Sequence, residues 1–294
     1  MMRVSSIDIG SNAIRQLIAE IDPSGSWKIL KKHRENIRLG ADVFNGQVIK
    51  PATQTKLILA FKRMARLSKK YKVDRSLAYA TSAFRDARNR KPILSAILKN
   101  TGVRIKIISG TREAELIRLA VQSCIGLNDE KCLLIDIGGG SIELTEISNN
   151  KINFSKSFKW GMVRMLSEAR NLHIKAQVHL ENKLKNEAKK LPKGSFDIAI
   201  GTGGNIDAIS KLKLLLLKKG PNTVVTLVEI ENIYKIFIKT PVHLRMNRFN
   251  LKPDRIDVLE PALYLTIALM KKYQIKKMKI PGVGLKEGAI LSLL

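Results

Sequence analysis

The chain has 294 residues, 45% of them hydrophobic, which is enough apolar side chain to bury the cores of two domains. Lys and Arg number 53 against 25 Asp and Glu, and a formal net charge of +28 favours polyanionic ligands in a salt-dependent way. Two cysteines without metal-type spacing argue against a disulfide scaffold, the apolar run at residues 214–217 is far too short to span a bilayer, and aromatics at 5%, none interleaved with basic runs, argue against a base-stacking nucleic-acid binder. No membrane partner is expected. The N-terminus enters a strand pattern directly, without a signal-peptide core, so a cytoplasmic protein is expected.

Residues 4–9 and 15–21 predict paired strands around a first glycine turn, Gly10-Ser11-Asn12, and residues 27–38 a third strand closed by Arg38-Leu39-Gly40. Asn45-Gly46 is a tight turn. Pro51 opens a long helix whose apolar positions include Leu57, Leu59, Phe61, Met64 and Leu67, with Lys on the other face. Residues 76–80 form a short strand, after which Thr81 or Ser82 caps a helix and places Arg85 in its first turns. A cation there opposes the helix dipole, which makes sense beside a phosphate and otherwise marks an ordinary exposed Arg. Residues 104–108 are the next strand, and Ser109-Gly110 opens a helix with Glu113 in its first turn. Glu113 either answers that dipole or serves as a general base or water-positioning carboxylate.

The apolar run Cys132-Leu133-Leu134-Ile135 ends in Asp136, then Gly138-Gly139-Gly140, Ser141 and Glu143. Glycines let backbone N–H groups approach an anion, and Ser141 adds a hydroxyl, so this is phosphate-cradle chemistry; a glycine-rich hairpin with a solvated Glu143 is the plainer alternative. Asp136 and Glu143 could hold a hard divalent cation through water. Ile7-Asp8-Ile9-Gly10 repeats the plan of Ile135-Asp136-Ile137-Gly138, and a duplicated α/β domain clamping a nucleotide or phosphate follows. A third turn, Gly201-Thr202-Gly203-Gly204-Asn205, follows a strand at 196–200 and opens a helix at 206–216. Helices are further predicted at 176–191, 228–238, 241–248 and 258–273, a strand at 278–280 and a last helix at 286–293. None of the four histidines stands at metal or triad spacing.

Taken together, the segments IDIGSN (7–12), RLG (38–40), ATSAFRDARN (80–89), ISGTREAE (108–115), DIGGGSIEL (136–144), GTGG (201–204), RID (255–257) and GLKEG (284–288) resemble the exopolyphosphatase and guanosine pentaphosphate phosphatase family. The likeness spans nearly the whole chain but stops short of the extra C-terminal helical domain of longer members. It implies an α/β fold of two actin-like (ribonuclease H-like) domains, residues 1–127 and 128–294, with a cleft between them and the last helix packed back on the first. The resemblance implies Mg²⁺-dependent release of phosphate from inorganic polyphosphate or guanosine pentaphosphate. Glu113 would be the catalytic carboxylate, Asp136 and Glu143 the metal ligands, and Ser11, Asn12, Arg85, Gly138, Gly139, Ser141, Gly203 and Gly204 the phosphate-binding groups. A non-catalytic binding regulator and a small-molecule kinase of the same superfamily are the alternatives. Oligomeric state is left open, a homodimer included. Glu115, Lys286 and Asn205 stand where the family usually has Arg, Arg and Thr.

Overall fold

The computed structural model describes residues 1–125, 130–149, 151–221 and 223–294. They form two compact units, Met1–Val121 with Val283–Leu294, and Gln122–Gly282. The boundary expected at Leu127 lies outside the described residues.

In the first unit β1 (Met2–Ile9), β2 (Ile14–Ile21) and β3 (Trp27–Glu35) make an antiparallel meander. Helices α1 (Leu39–Gly46) and α2 (Pro51–Lys70) lead to β4 (Arg75–Ala80), which joins the free side of β1 in parallel. Then α3 (Ser82–Asp86) and α4 (Arg90–Thr101) lead to β5 (Ile105–Ile107), parallel to β4, and α5 (Gly110–Gln122) follows. The sheet order is β3-β2-β1-β4-β5. One face, with Ile7, Ile9 and Ile14, is packed by Phe61 and Met64 of α2 and Ile93 and Ile97 of α4. Val4, Leu17, Ala19 and Ile21 are packed by Ile290 of the C-terminal helix, Leu285–Leu291. The strands are therefore covered by helices whose loops meet at the sheet's ends.

Three local expectations are corrected. Residues 39–46, expected as a strand end and turn, are a helix: Leu39 and Val43, one turn apart, are both buried, and that packing overrides a glycine-containing sequence of low helix propensity. The core stripe of α2 is Leu57, Ala60, Phe61 and Met64, while Leu59, turned about 200° from Leu57, is 48% exposed. The helix after Thr81 spans only Ser82–Asp86, so Arg85 lies in its last turn, where the dipole favours a cation. Arg85 is not placed against its local field.

The second unit repeats the plan. Strands β6 (Cys132–Ile137), β7 (Ile142–Ser148) and β8 (Lys151–Phe158) form the meander. Helices α6 (Met162–Asn171) and α7 (Ala176–Asn186) lead to β9 (Ile198–Thr202), parallel to β6 on its free side. After α8 (Gly204–Leu212) comes a short strand absent from the sequence prediction, β10 (Val224–Thr226). Then α9 (Leu227–Lys239), α10 (Val242–Arg248) and α11 (Leu259–Lys272) lead to β11 (Lys277–Lys279), parallel to β9 and antiparallel to β10. Every residue of β6 and β9 is buried, as expected of central strands covered on both faces. Among the described residues no helix is long and apolar enough to cross a membrane. Cys124 is exposed; the Cys132 thiol is pushed up to about 11, mainly by burial, which keeps it protonated and unreactive.

Candidate active site

In the first unit β1, β4 and β5 run parallel, and their C-terminal ends are level: Ile9 pairs with Ala80, and Ala80 with Ile107. The loops leaving those ends carry Ser11 and Asn12, Thr81 and Ser82, and Ser109 with α5 beyond it. Crevices at such strand ends are where open α/β sheets bind ligands. The Ser11 and Ser82 hydroxyls are 2.9 Å apart, and Asn12 Oδ1 accepts from Arg38 Nε at 2.8 Å. Both residues of the turn are thus held by side chains from neighbouring loops. Ser11 and Asn12 are themselves buried.

Glu113 occupies the first turn of α5, with its backbone N–H donating to the Ser109 carbonyl at 3.0 Å. Its carboxylate accepts from Arg85 Nη1 at 3.2 Å, and the same nitrogen donates to the Ile108 carbonyl at 2.8 Å. The short α3 thus hands Arg85 across to the start of α5. Burial leaves the Glu113 residue 8% exposed, so its oxygen positions are set by these partners. Glu115, by contrast, is half-buried and bonded to Arg112 at 2.9 Å; the cation beside it answers its charge.

In the second unit Asp136, near the end of β6, pairs with Glu143 on β7 on one side and with Thr202 on β9 on the other. Thr202 Oγ1 donates to Asp136 Oδ1 at 2.6 Å, and Ser157, the β8 partner of Glu143, donates to Glu143 Oε1 at 2.6 Å. Asp136 and Glu143 are 8% and 2% exposed and offer oxygens within 4.8 Å of one another. Two buried carboxylates so close repel, and a cation offsets that repulsion. The donor set of hard oxygens, each carboxylate steadied by a hydroxyl, fits Mg²⁺.

The glycine turn after β6 is held by α6. The N–H groups of Met162 and Val163 donate to the carbonyls of Gly138 and Gly139 at 3.1 and 2.8 Å, and Arg164 Nε donates to the Gly140 carbonyl at 2.8 Å. A Cβ on Gly161 would lie inside the radii of the Gly140 and Ser141 backbone, so this approach requires glycine. The second turn is tied to the first: Gly203 has φ +89°, and a Cβ there would sit 2.9 Å from Asp136 Oδ1. Asn205 Nδ2 donates to the Ile137 carbonyl at 3.3 Å while its oxygen accepts from Arg255 at 2.6 Å. Lys286 pairs with the buried Glu287 at 2.8 Å, so the departure there retains a structural ion pair.

The structure thus gathers Ser11, Asn12, Arg85 and Glu113 at the C-terminal ends of the parallel strands of the first unit, and Asp136, Gly138, Gly139, Ser141, Glu143, Gly203 and Gly204 around the end of β6 in the second. Sequence reasoning did not assign site roles to Ser82, Arg38, Ser157, Thr202, Gly161 or Arg164. The last two sit in a glycine-to-helix junction visible in the sequence, whereas Thr202 and Ser157 acquire their role only from strand pairing.

A model of the Ppx/GppA phosphatase family matches residues 17–294. The chain belongs to that family. Exopolyphosphatase 1 of Mycobacterium tuberculosis (strain ATCC 25618 / H37Rv) is 25% identical over 304 residues, covering 100% of this chain and 88% of the relative. Among solved structures, an exopolyphosphatase from Cytophaga hutchinsonii ATCC 33406 superposes with a TM-score of 0.90 at 21% identity, covering 99% of this chain and 97% of that one. The Aquifex aeolicus member of the family gives 0.80 at 24% identity, again over 99% and 97%. Both share the two-domain, actin-like α/β fold with this chain.

Proposed function

We propose that this chain is an exopolyphosphatase, an Mg²⁺-dependent hydrolase that removes the terminal phosphate of inorganic polyphosphate, with guanosine pentaphosphate as a second substrate. The observation that carries the reading is the buried Asp136–Glu143 pair beside a glycine turn, an anionic trap that suits a cation bound together with phosphate. Family membership and the exopolyphosphatases among its relatives support the substrate class.

Phosphoryl transfer asks a protein for positioning and charge neutralisation more than for covalent chemistry. Arg85 fixes the Glu113 carboxylate, which orients the attacking water and takes its proton as the new P–O bond forms and the bridging P–O bond breaks. The shortened chain leaves as a phosphate anion. Backbone N–H groups at Gly139, Gly203 and Gly204, with the hydroxyls of Ser11 and Ser141 and the Asn12 amide, receive charge on the phosphoryl oxygens, while the Gly138 N–H closes the turn on the Ser141 carbonyl at 3.1 Å. Asp136 and Glu143 would hold Mg²⁺, which supplies charge neutralisation of those oxygens.

The test is phosphate release from polyphosphate and, separately, from guanosine pentaphosphate, with Mg²⁺ supplied or chelated. Release from polyphosphate that needs Mg²⁺ is expected. Absence of release from both substrates by folded protein would sink the reading.

A further inference from the structure

The first unit carries a basic surface that the reaction does not use. No Asp or Glu occurs between Asp42 and Asp74, nor between Asp86 and Glu113, and these stretches contain α2 and α4. Packing lays the two helices together through Phe61, Met64, Ile93 and Ile97, so their cations share one face of the unit. At the C-terminal ends of both helices lies an open groove of about 530 Å³, lined by Lys62, Ala65, Arg66 and Lys69 of α2 and by Lys99 and Thr101 at the end of α4.

Lys62, Arg66 and Lys69 follow i, i+4, i+7 spacing, so they stand on one face of α2 along about 10 Å of its axis. All three and Lys99 are exposed. Among the described residues none of the four has a carboxylate partner, whereas the adjacent Arg63 is bonded to Glu35 at 2.8 Å. Lys69 and Lys99 lie in last turns, where the helix dipole favours a cation. Lys62 and Arg66 lie further back and have no such reason. Like charges at this spacing repel, and a bound anion relieves them.

We propose that this groove is a docking site for a run of consecutive phosphates in a condensed phosphate chain; the proposal rests on the polyphosphate reading of the active site. The lining offers cations, the Thr101 hydroxyl, the Asn100 amide and a methyl group and no aromatic ring, so it suits phosphate without bases rather than a single-stranded nucleic acid, which stacks on aromatic platforms. The groove precedes β4 and β5, while Ser11, Arg85 and Glu113 follow the strand ends, so the two lie at opposite ends of the parallel strands. They are separated by the length of β4, about 20 Å. A short oligophosphate therefore reaches one of them, and a long chain reaches both. The groove tethers long substrate and leaves the chemical step unchanged.

The experiment compares the wild type with a triple variant, Lys62→Gln, Arg66→Gln and Lys69→Gln, which alters exposed helix positions only. Equilibrium binding of long-chain polyphosphate is measured in both across a salt series, in EDTA so that the chain is not consumed. In 0.1 M salt the triple variant is expected to bind about a hundredfold more weakly, with the log–log salt slope reduced by about 2, at roughly 0.7 per cation. In activity assays KM for long chains rises, while kcat and tripolyphosphate turnover stay as in the wild type. Unchanged affinity for long chains overturns the proposal, as does a parallel loss of tripolyphosphate turnover. Tighter binding of single-stranded RNA than of polyphosphate, lost in the triple variant, overturns it in favour of a nucleic-acid surface. Failure of the activity reading has a different signature: the wild type releases no phosphate from either substrate, while the binding arm still decides the groove.

Discussion

In the first unit the carboxylate near the end of the central strand faces a cation; in the second, the carboxylate at the same place faces another carboxylate. Asp8 on β1 pairs across the hairpin with Arg15 and is bridged to it at 3.1 Å, while Asp136 on β6 pairs with Glu143. Both hairpins share one topology and an Ile-Asp-Ile-Gly sequence, so the difference rests on the residue opposite the Asp. One hairpin neutralises itself. The other sets two buried carboxylates side by side, a pair that a bound cation would offset, and hydroxyls from Thr202 and Ser157 aim them. The turns differ in the same sense: the first is braced by side chains from Ser82 and Arg38, the second by backbone amides of α6 against bare glycines. On the proposed function, a duplicated fold thus yields one half that presents the carboxylate Glu113 and one half that collects cation and phosphate.

The largest expected effect separates those roles. Glu113→Gln should lower kcat for phosphate release by about 10²–10⁴-fold while leaving the Mg²⁺-induced rise in unfolding temperature in place, as calorimetry would show. Glu143→Gln should do the reverse for binding: activity falls by about a hundredfold or more, the Mg²⁺-induced rise disappears, and the metal-free protein is no less stable because one of two repelling charges is gone. Gly161→Ala pushes a Cβ into the Gly140 and Ser141 backbone and should cost about 3 kcal/mol in denaturant unfolding. Converting the first hairpin toward the second with Arg15→Glu sets like charges opposite each other and should cost only about 1 kcal/mol, with phosphate release retained.

The smallest effect concerns pH. The Arg63 hydrogen bonds hold the Glu35 carboxyl below its usual range, joining β3 to α2. A depressed carboxyl contributes stability above its unfolded value near pH 4.3 and loses it as pH falls through the lower folded value. Arg63 is 45% exposed, so solvent screening limits the contribution to below about 1 kcal/mol. In Arg63→Gln the deficit measured at pH 7 should shrink toward pH 3.

The strand-Asp-glycine units were legible because their signals are local: an apolar run, an acid and small residues in succession. The α/β alternation and the placement of Glu113 in a first helical turn were legible for the same reason. Helix α1 was not, since its sequence LGADVFNG reads as a turn and becomes helical only when Leu39 and Val43 are buried. The meaning of Arg85 turned on the length of α3: five residues put the cation at the favourable end of the helix. Thr202 and Ser157 could not be assigned from the sequence, because their roles depend on strand register: one pairing joins Asp136 to a strand far along the chain, and the other depends on how the hairpin after Glu143 aligns.

The most direct test of the account measures phosphate release from polyphosphate by the wild type and by Glu143→Gln, each with Mg²⁺ and with excess chelator. The account predicts release by the wild type that stops on chelation, returns with Mg²⁺ and stays near background in the variant throughout. Release undiminished by the chelator, or a variant as fast as the wild type, would contradict it.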